Sequence, residues 1–194
     1  MTKPKIAVIL SSTRDARFAD KPVEWLMSKA KARDDFDVEL VDLRDFDLPL
    51  FNEMASNAFM PSQDPNVVKW QEKLAEFDGY IFQVAEFNHS ITGSLKNALD
   101  QAYVEWAHKP MGYLGYGGVG AARAIEHLRT IGVELQMVPV RNAVHIAAGG
   151  FMQVHPMGAN DEMSAIEEMI APSAEAMFDD VVWWAKATMA ARAA

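Results

Sequence analysis

The sequence contains no cysteine among its 194 residues. This absence excludes a disulfide framework, a thiolate zinc site, a cysteine-ligated iron–sulfur cluster and a cysteine nucleophile. Basic residues are also few, with 18 lysines and arginines against 27 aspartates and glutamates, which gives a formal net charge of −9. Broad binding of nucleic acid or of anionic membranes needs clustered positive charge. We therefore expect neither kind of partner.

Long hydrophobic runs are missing as well. The unbroken apolar run Ile6 to Leu10 is too short for a signal-peptide core and far too short to span a bilayer. We therefore expect a cytoplasmic protein. Half of the residues are apolar and 23% are charged, which is typical of a globular protein. The length predicts a single domain over residues 1–194.

Strand patterns and helix patterns alternate along the chain. Short apolar segments predict five strands, at 6–10, 38–43, 79–84, 111–116 and 135–140, with 144–146 as a candidate extension of the last. Helical spacing predicts helices at 18–33, 67–77, 94–106, 121–132 and 161–192. We expect Gly132 to end the fourth helix and Pro172 to interrupt or kink the fifth. The alternation predicts a flavodoxin-like α/β three-layer sandwich, in which helices cover both faces of a five-stranded parallel sheet of order 2-1-3-4-5.

Ligands of such sheets bind beyond the carboxyl ends of the strands, so the loops that leave strands 1, 3 and 4 are the candidate site. The first loop, residues 11–19, combines three hydroxyls, Arg14, Arg17 and the free amides of a helix start. That composition suits a phosphate monoester. The loop has no glycine, so it matches neither a Walker loop nor a dinucleotide-binding motif. It could equally be a polar connection that caps the helix.

The second and third loops carry groups that suit a flat ring. Glu86, Phe87 and Asn88 bring an acid, an aromatic ring and an amide together after the third strand. The alternative for this loop is a turn that caps the next helix. Tyr116, Gly117 and Gly118 follow the fourth strand, and the two glycines would let backbone amides approach a ligand closely. They could also form a tight turn without a ligand.

Taken together, the three loops resemble those of a known protein family. Ser-Ser-Thr-Arg at 11–14, Glu-Phe-Asn-His-Ser at 86–90 with Leu-Lys-Asn-Ala-Leu-Asp at 95–100, and Tyr-Gly-Gly at 116–118 occur in this order. From about residue 5 to 146 the chain resembles the NAD(P)H-dependent FMN reductase family, which includes quinone, azo and chromate reductases. It departs from the usual family pattern at Ser11 (usually glycine), Ala85 (usually proline) and Phe87 (often tyrosine).

The resemblance implies an FMN cofactor, with NADPH or NADH as the electron donor. Electrons would pass in a ping-pong mechanism to small oxidants such as quinones, azo compounds or free flavin. No side chain is implied as catalytic, because the flavin N5 carries the hydride, and no metal is implied. In the family, the first loop holds the FMN phosphate and the other two contact the ring system. The residues implicated here are Ser12, Arg14, Arg17, Phe18 and Ala19 for the phosphate, and Ala85, Glu86, Phe87, Asn88, Tyr116, Gly117 and Gly118 for the ring.

The resemblance also implies a homodimer or homotetramer. The long connection at 44–66 could lie against a partner subunit, cover the flavin or fill the core of its own subunit. Two other function classes remain open. One is a flavodoxin-type electron carrier that exchanges electrons with protein partners, and the other is a non-catalytic flavodoxin-like binding module.

Overall fold

The computed structural model describes residues 2–194, and strands and helices alternate through most of them. Two 3₁₀ turns, Leu43–Asp45 and Met163–Ile166, supplement the helices. In chain order the elements are β1 (Lys5–Leu10), α1 (Asp20–Lys31), β2 (Asp37–Asp42), α2 (Pro65–Ala75), β3 (Gly79–Ala85), α3 (Gly93–Asp100), β4 (Pro110–Gly117), α4 (Ala122–Glu134), β5 (Val138–Pro139), β6 (Val144–Ala147), α5 (Ala148–Val154) and α6 (Glu167–Arg192).

The strands form one parallel sheet of order β2-β1-β3-β4-β5, which confirms the predicted fold class and strand order. The fifth position is divided, because β5 and β6 both pair with β4. Pro139 has no N–H to continue a ladder. The Arg129 guanidinium donates to the carbonyl oxygens of Val140 and Arg141. The break between the two strands is therefore held by a side chain from α4.

Hydrophobic clusters lie on both faces of the sheet. One joins the sheet to α1, α5 and α6, and the other joins it to α2, α3 and α4. Trp70 and Trp106 are fully buried in the second cluster, and each indole N–H donates to a backbone carbonyl of the α3 helix, at 2.9 and 3.2 Å. Because each indole N–H has a hydrogen-bond acceptor, burial of the two rings leaves neither N–H group unpaired.

Three local expectations were wrong. Gly132 does not end α4, which continues to Glu134. A Cβ at Gly132 would clash with the Met111 sulfur, so the glycine permits close contact between helix and sheet. Pro172 does not interrupt α6, which is continuous from Glu167 to Arg192. The third helix ends at Asp100 rather than Trp106. The α5 helix, with two glycines in seven residues, was not expected at all.

At the carboxyl edge of the sheet, β1 and β3 separate. Their ladder ends at the pair Ile9–Phe82, while β3 continues to pair with β4 as far as Ala85. On its other side, β1 remains paired with β2 through Leu10 and Asp42. The separation lies where the strand order reverses, which is where ligands bind in open parallel sheets.

A buried lysine at the opposite edge makes the stability depend on pH. Lys109 is 7% exposed, and burial, with the nearby Arg192 charge, holds its pKa at about 8, below the ordinary lysine value. In the unfolded chain the pKa returns to about 10.4. Between these values the unfolded chain binds more protons, so this group makes the free energy of unfolding rise with pH.

We expect wild type to gain stability relative to Lys109→Met as the pH is raised from 8 to 10, by at most about 1.4 kcal/mol per pH unit. Urea unfolding of both proteins at several pH values measures the difference. The exposed Lys3→Met variant serves as control and should track wild type. A constant difference between wild type and Lys109→Met across this range would contradict the assignment.

Candidate functional site

The start of the first loop is held by the side chain of Gln83 in β3. The Gln83 Oε1 accepts hydrogen bonds from the backbone N–H groups of Ser11 and Ser12, both at 3.2 Å. The Ser11 hydroxyl donates to the Gln83 carbonyl oxygen at 2.5 Å. On the other side, the Ser94 hydroxyl of α3 donates to the Ser11 carbonyl at 2.8 Å. The loop therefore leaves the sheet with a fixed backbone.

Arg17 is engaged by carboxylates of its own chain. Its side chain is 5% exposed and pairs with Asp42 at the end of β2 and with Asp20 in α1, at 2.5 and 2.6 Å. It also donates to the Ser12 carbonyl at 2.9 Å. Burial of the Asp42 carboxylate acts to raise its pKa. The hydrogen bonds from the Arg17 guanidinium act in the opposite direction, and the pKa of Asp42 lies below its ordinary value. A contact between Arg17 and a phosphate stays a prediction, and the structure gives this side chain a role in ordering the loop.

The amino end of α1 has no side-chain cap, and Ala19 stands at the capping position. The equivalent ends of α3 and α4 are both capped, by Thr92 and by Glu86. Helix starts leave unsatisfied N–H groups that attract anions. No side chain therefore caps the start of α1, where Phe18 and Ala19 are buried, while Arg14 in the loop before it is exposed.

The first and second loops meet around an open pocket of about 270 Å³. The Arg14 guanidinium carbon lies 5.5 Å from the centre of the Phe87 ring. The Phe87 side chain is 46% exposed. The lining residues are Ser12, Thr13, Arg14, Phe87, Thr92, Gly93 and Ser94. Three residues expected at one site from separate parts of the sequence, Ser12, Arg14 and Phe87, thus line one pocket.

Asn88 lies in a tight turn that points Phe87 outward. Phe87 and Ser90 exchange two backbone hydrogen bonds of 3.0 Å each, and Asn88 and His89 between them have φ angles of 51° and 68°. Asparagine adopts this left-handed conformation more readily than most residues. The preceding Ala85 is nearly fully buried at the end of β3, where it pairs with Tyr116.

Glu86 caps the α4 helix. Its side chain is 7% exposed, and its carboxylate accepts from the backbone N–H groups of Arg123 and Ala124 at 3.2 and 3.3 Å. The Arg123 guanidinium pairs with the same carboxylate. Although burial acts in the opposite direction, these hydrogen bonds hold the pKa of Glu86 below its ordinary value. The expected ring contact of Glu86 stays a prediction, and the carboxylate already ties the second loop to α4.

The third loop exposes backbone beside open space. No atom lies within 4 Å of where a Cβ would stand on Gly117 or Gly118, and Gly117 has a φ of 134° that side chains rarely adopt. Tyr116 packs its ring against Phe18 at a centroid distance of 5.1 Å. Burial raises the pKa of Tyr116 to about 12, and Arg14 and Ser12 act in the opposite direction. Tyr116 thus connects the third loop to the first.

Two aromatic residues beside this site were missed in the sequence. Phe151 of α5 and His155 lie against Phe18 at centroid distances of 5.6 and 4.8 Å. The Phe151 ring is parallel to that of Tyr116, at 6.2 Å. Burial lowers the pKa of His155. In the sequence, the aromatic residues after the last strand are the only sign of this part of the site. The short α5 helix was not predicted because its two glycines disfavour a helix.

A comparison with known protein families identifies the family to which this chain belongs. Residues 4–150 match the model of the NADPH-dependent FMN reductases, and that stretch contains all three loops. The chain belongs to this family. FMN is therefore the cofactor and a pyridine nucleotide the electron donor of an oxidoreductase. The matched residues end at Gly150, so Phe151 and His155 lie outside the stretch that defines the family.

Individual relatives agree with the family. The NAD(P)H-dependent FMN reductase ntnL of Nectria sp is 32% identical over 154 residues, which cover 75% of this chain and 77% of that protein. A 2-hydroxy-1,4-benzoquinone reductase of Burkholderia sp is 33% identical over 142 residues, covering 69% and 73% of the two chains. In fold, the chain is similar to the flavoenzyme FerB from Paracoccus denitrificans, with a TM-score of 0.70 and 21% identity over 92% of this chain and 97% of that one.

The residues of this FMN reductase family member fit an FMN group. The uncapped start of α1, with Arg14 beside it, offers backbone and guanidinium donors to a phosphate. Phe87 is half exposed at the pocket, where it can pack on a flat ring, and the third-loop glycines leave room for close approach to the backbone. No helix in residues 2–194 is long and apolar enough to cross a membrane.

Because Glu86 caps α4, we expect Glu86→Ala to lower the free energy of unfolding by about 1–2 kcal/mol. Denaturant unfolding at pH 7 measures the loss. Glu126→Ala is the matched control, because Glu126 is an acidic residue of α4 whose side chain is 77% exposed. This substitution should change the free energy of unfolding by less than about 0.5 kcal/mol. Equal effects of the two substitutions would contradict the capping role.

The loss in Glu86→Ala should also depend on pH with a defined sign. The pKa of Glu86 is lowered in the folded protein, so its contribution is complete above the unfolded pKa of about 4.3. The contribution is lost as the pH falls through the folded pKa. The difference between wild type and Glu86→Ala should therefore shrink below about pH 4.

Proposed function

We propose that this chain is an FMN-dependent NAD(P)H oxidoreductase that reduces small oxidants, quinones in particular, by a ping-pong mechanism. The observation that carries the proposal is the pocket at the separation of β1 and β3, where Ser12 and Arg14 of the first loop meet Phe87 of the second. The names of relatives support the choice of oxidant, since one is a benzoquinone reductase and another, from Solanum tuberosum, an NAD(P)H:quinone oxidoreductase. The proposal treats residues 1–194 as one FMN-binding domain.

In this proposal the protein binds and orients, and its side chains take no covalent part. Bound FMN supplies the hydride and electron transfer between nicotinamide and oxidant. Arg14, the Ser12 hydroxyl and the first amides of α1 would hold the phosphate. Phe87 and the backbone of Gly117 and Gly118 would border the ring, and Tyr116 would close the side towards the first loop. A ping-pong mechanism would require the nucleotide and the oxidant to use the same open side of the pocket in turn.

We also propose that the protein works in the cytoplasm as a homodimer or homotetramer. The connection at 44–66 supports the oligomer. Asn97 and Gln101 of the α3 segment hold its Pro49 carbonyl at 2.8 and 2.7 Å, so its backbone is anchored. Yet Leu50, Met54 and Phe59 are each more than four-fifths exposed. An anchored segment that presents large apolar side chains to solvent is typical of a subunit interface.

The phosphate assignment is tested by comparing FMN with riboflavin. Arg14→Ala should weaken FMN binding by about tenfold to a hundredfold, because a charge-assisted hydrogen bond contributes about 1.5–3 kcal/mol. Riboflavin, which lacks the phosphate, should bind wild type and variant almost equally. Titration of flavin-stripped protein, followed by flavin fluorescence, measures both affinities. Arg141→Ala, at an exposed arginine remote from the loop sequence, is the control.

Arg17→Ala should weaken FMN binding too, but with a second effect. Because Arg17 pairs with Asp42 and Asp20, its loss leaves carboxylates without their partner and should lower the thermal midpoint as well. Arg14→Ala should leave that midpoint close to wild type. A large loss of riboflavin affinity in either variant would mean that the arginine acts on the fold rather than on the phosphate.

The catalytic proposal is tested by steady-state kinetics of the FMN-loaded protein. With NADPH or NADH and a benzoquinone, we expect sustained nucleotide oxidation and parallel lines in double-reciprocal plots, the signature of a ping-pong mechanism. Flavin binding without nucleotide oxidation would instead favour an electron carrier. Failure to bind FMN or riboflavin would favour a non-catalytic module.

A further inference from the structure

Gln83 is a fully buried polar side chain in a strand that is otherwise almost entirely apolar. Its exposed fraction is 0%, and its neighbours in β3, Phe82 and Val84, are buried hydrophobic residues. A leucine or isoleucine at this position would be the ordinary choice for a strand covered on both faces.

The orientation of the Gln83 amide is determined by its partners. The backbone N–H groups of Ser11 and Ser12 can only donate, so the atom that they approach must be the acceptor Oε1. The Ser11 hydroxyl is a third and longer donor to Oε1, at 3.4 Å. The Nε2 group is then left without a hydrogen-bond partner anywhere in residues 2–194. A buried donor without a partner costs about 1–3 kcal/mol. That a core strand keeps a residue with this cost indicates that its acceptor atom has a structural role.

That role lies at the separation of β1 and β3. Beyond the pair Ile9–Phe82 the two strands exchange no further ladder contacts. The Gln83 side chain bridges this gap to the backbone, and the Ser11 hydroxyl bridges it in the reverse direction. These bonds occupy the amides of Ser11 and Ser12. Backbone amides that bind an anion must then come from Thr13 onward, and the bonds to Gln83 hold the backbone that leads into Thr13.

We propose that Gln83 is a positioning residue for the FMN phosphate, acting through the amides of Ser11 and Ser12. The selectivity of the protein for FMN over riboflavin depends on it. The proposal rests on the proposed function, because it assumes that the first loop takes the phosphate. It separates two kinds of donor in that loop: the first two amides hold the loop, and the later ones bind the ligand.

The test is Gln83→Met, which keeps the approximate size of the side chain and removes the acceptor. FMN should bind about tenfold more weakly or worse, while the riboflavin Kd changes by less than about threefold. Gln101→Met is the matched control, because Gln101 is also a buried glutamine, 3% exposed, that bonds to a backbone carbonyl away from the first loop. It should leave the ratio of the two affinities unchanged.

Amide hydrogen exchange gives a second readout that needs no flavin. In flavin-free wild type, the amides of Ser11 and Ser12 should be protected. In Gln83→Met their exchange should accelerate at least about tenfold, while that of Val8 in the core of β1 stays as in wild type. Unprotected Ser11 and Ser12 amides in wild type would overturn the proposal even where the variant cannot be folded.

The outcomes separate this proposal from the function on which it rests. If wild type prefers FMN to riboflavin and Gln83→Met keeps that preference, the positioning role alone is overturned. If Gln83→Met weakens both flavins alike, the side chain acts on overall stability and the proposal is again wrong. If wild type binds FMN and riboflavin equally, the phosphate assignment itself fails and the positioning role fails with it.

Discussion

The site depends on the separation of β1 and β3 at the carboxyl edge of the sheet. Two parallel strands that stop pairing leave N–H and carbonyl groups that must find other partners, because unpaired buried backbone groups are costly. In this chain Gln83 and Ser11 supply those partners. The two strands can therefore separate without leaving these backbone groups unpaired, and the first loop begins from a fixed backbone. The pocket, the helix start and the position of Arg14 all follow from that beginning.

Three acidic residues near the site, Asp20, Asp42 and Glu86, are paired with groups of the protein itself. Asp42 and Asp20 bind Arg17, and Glu86 binds Arg123 and the start of α4. Each of these carboxylates is compensated inside the chain. This pairing explains how a protein with a net charge of −9 can offer an anion site. Arg14 stays exposed and has no carboxylate partner among the ion pairs of residues 2–194, which leaves positive charge in the first loop.

The fold was largely predictable because a parallel sheet leaves a strong pattern. Its strands are continuous apolar runs, and its helices keep a regular apolar spacing, so strand order and layers followed from the alternation. The errors came where tertiary contacts replaced local preference. Gly132 looks like a helix end until Met111 is seen packed against it. The α5 helix has no capping residue of its own, and its glycines predict a loop.

The positions of the three loops were predictable from the sequence, but the partners of individual side chains were less so. Loops were placed correctly because topology brings strand ends together, whereas the direction of a side chain depends on partners far away in the sequence. Arg17 and Glu86 are the clearest cases, since Asp42 and Arg123 lie 25 and 37 residues from them. A charged residue in a ligand-binding loop can be read as a ligand contact from sequence alone. Only the structure reveals which side chains of the protein also pair with it.

The departure at Ser11 from the usual family glycine has a physical reason in this chain. A glycine would have no hydroxyl to donate to the Gln83 carbonyl, and that oxygen lies beyond the last ladder pair with β1. The serine therefore compensates for the early separation of the strands, and it is fully buried, as that role requires. Because the same glutamine also binds the Ser11 amide, residues 11 and 83 act as a unit. A substitution at either position should then be judged by its effect on the other, because Ser11 and Gln83 together hold the start of the first loop.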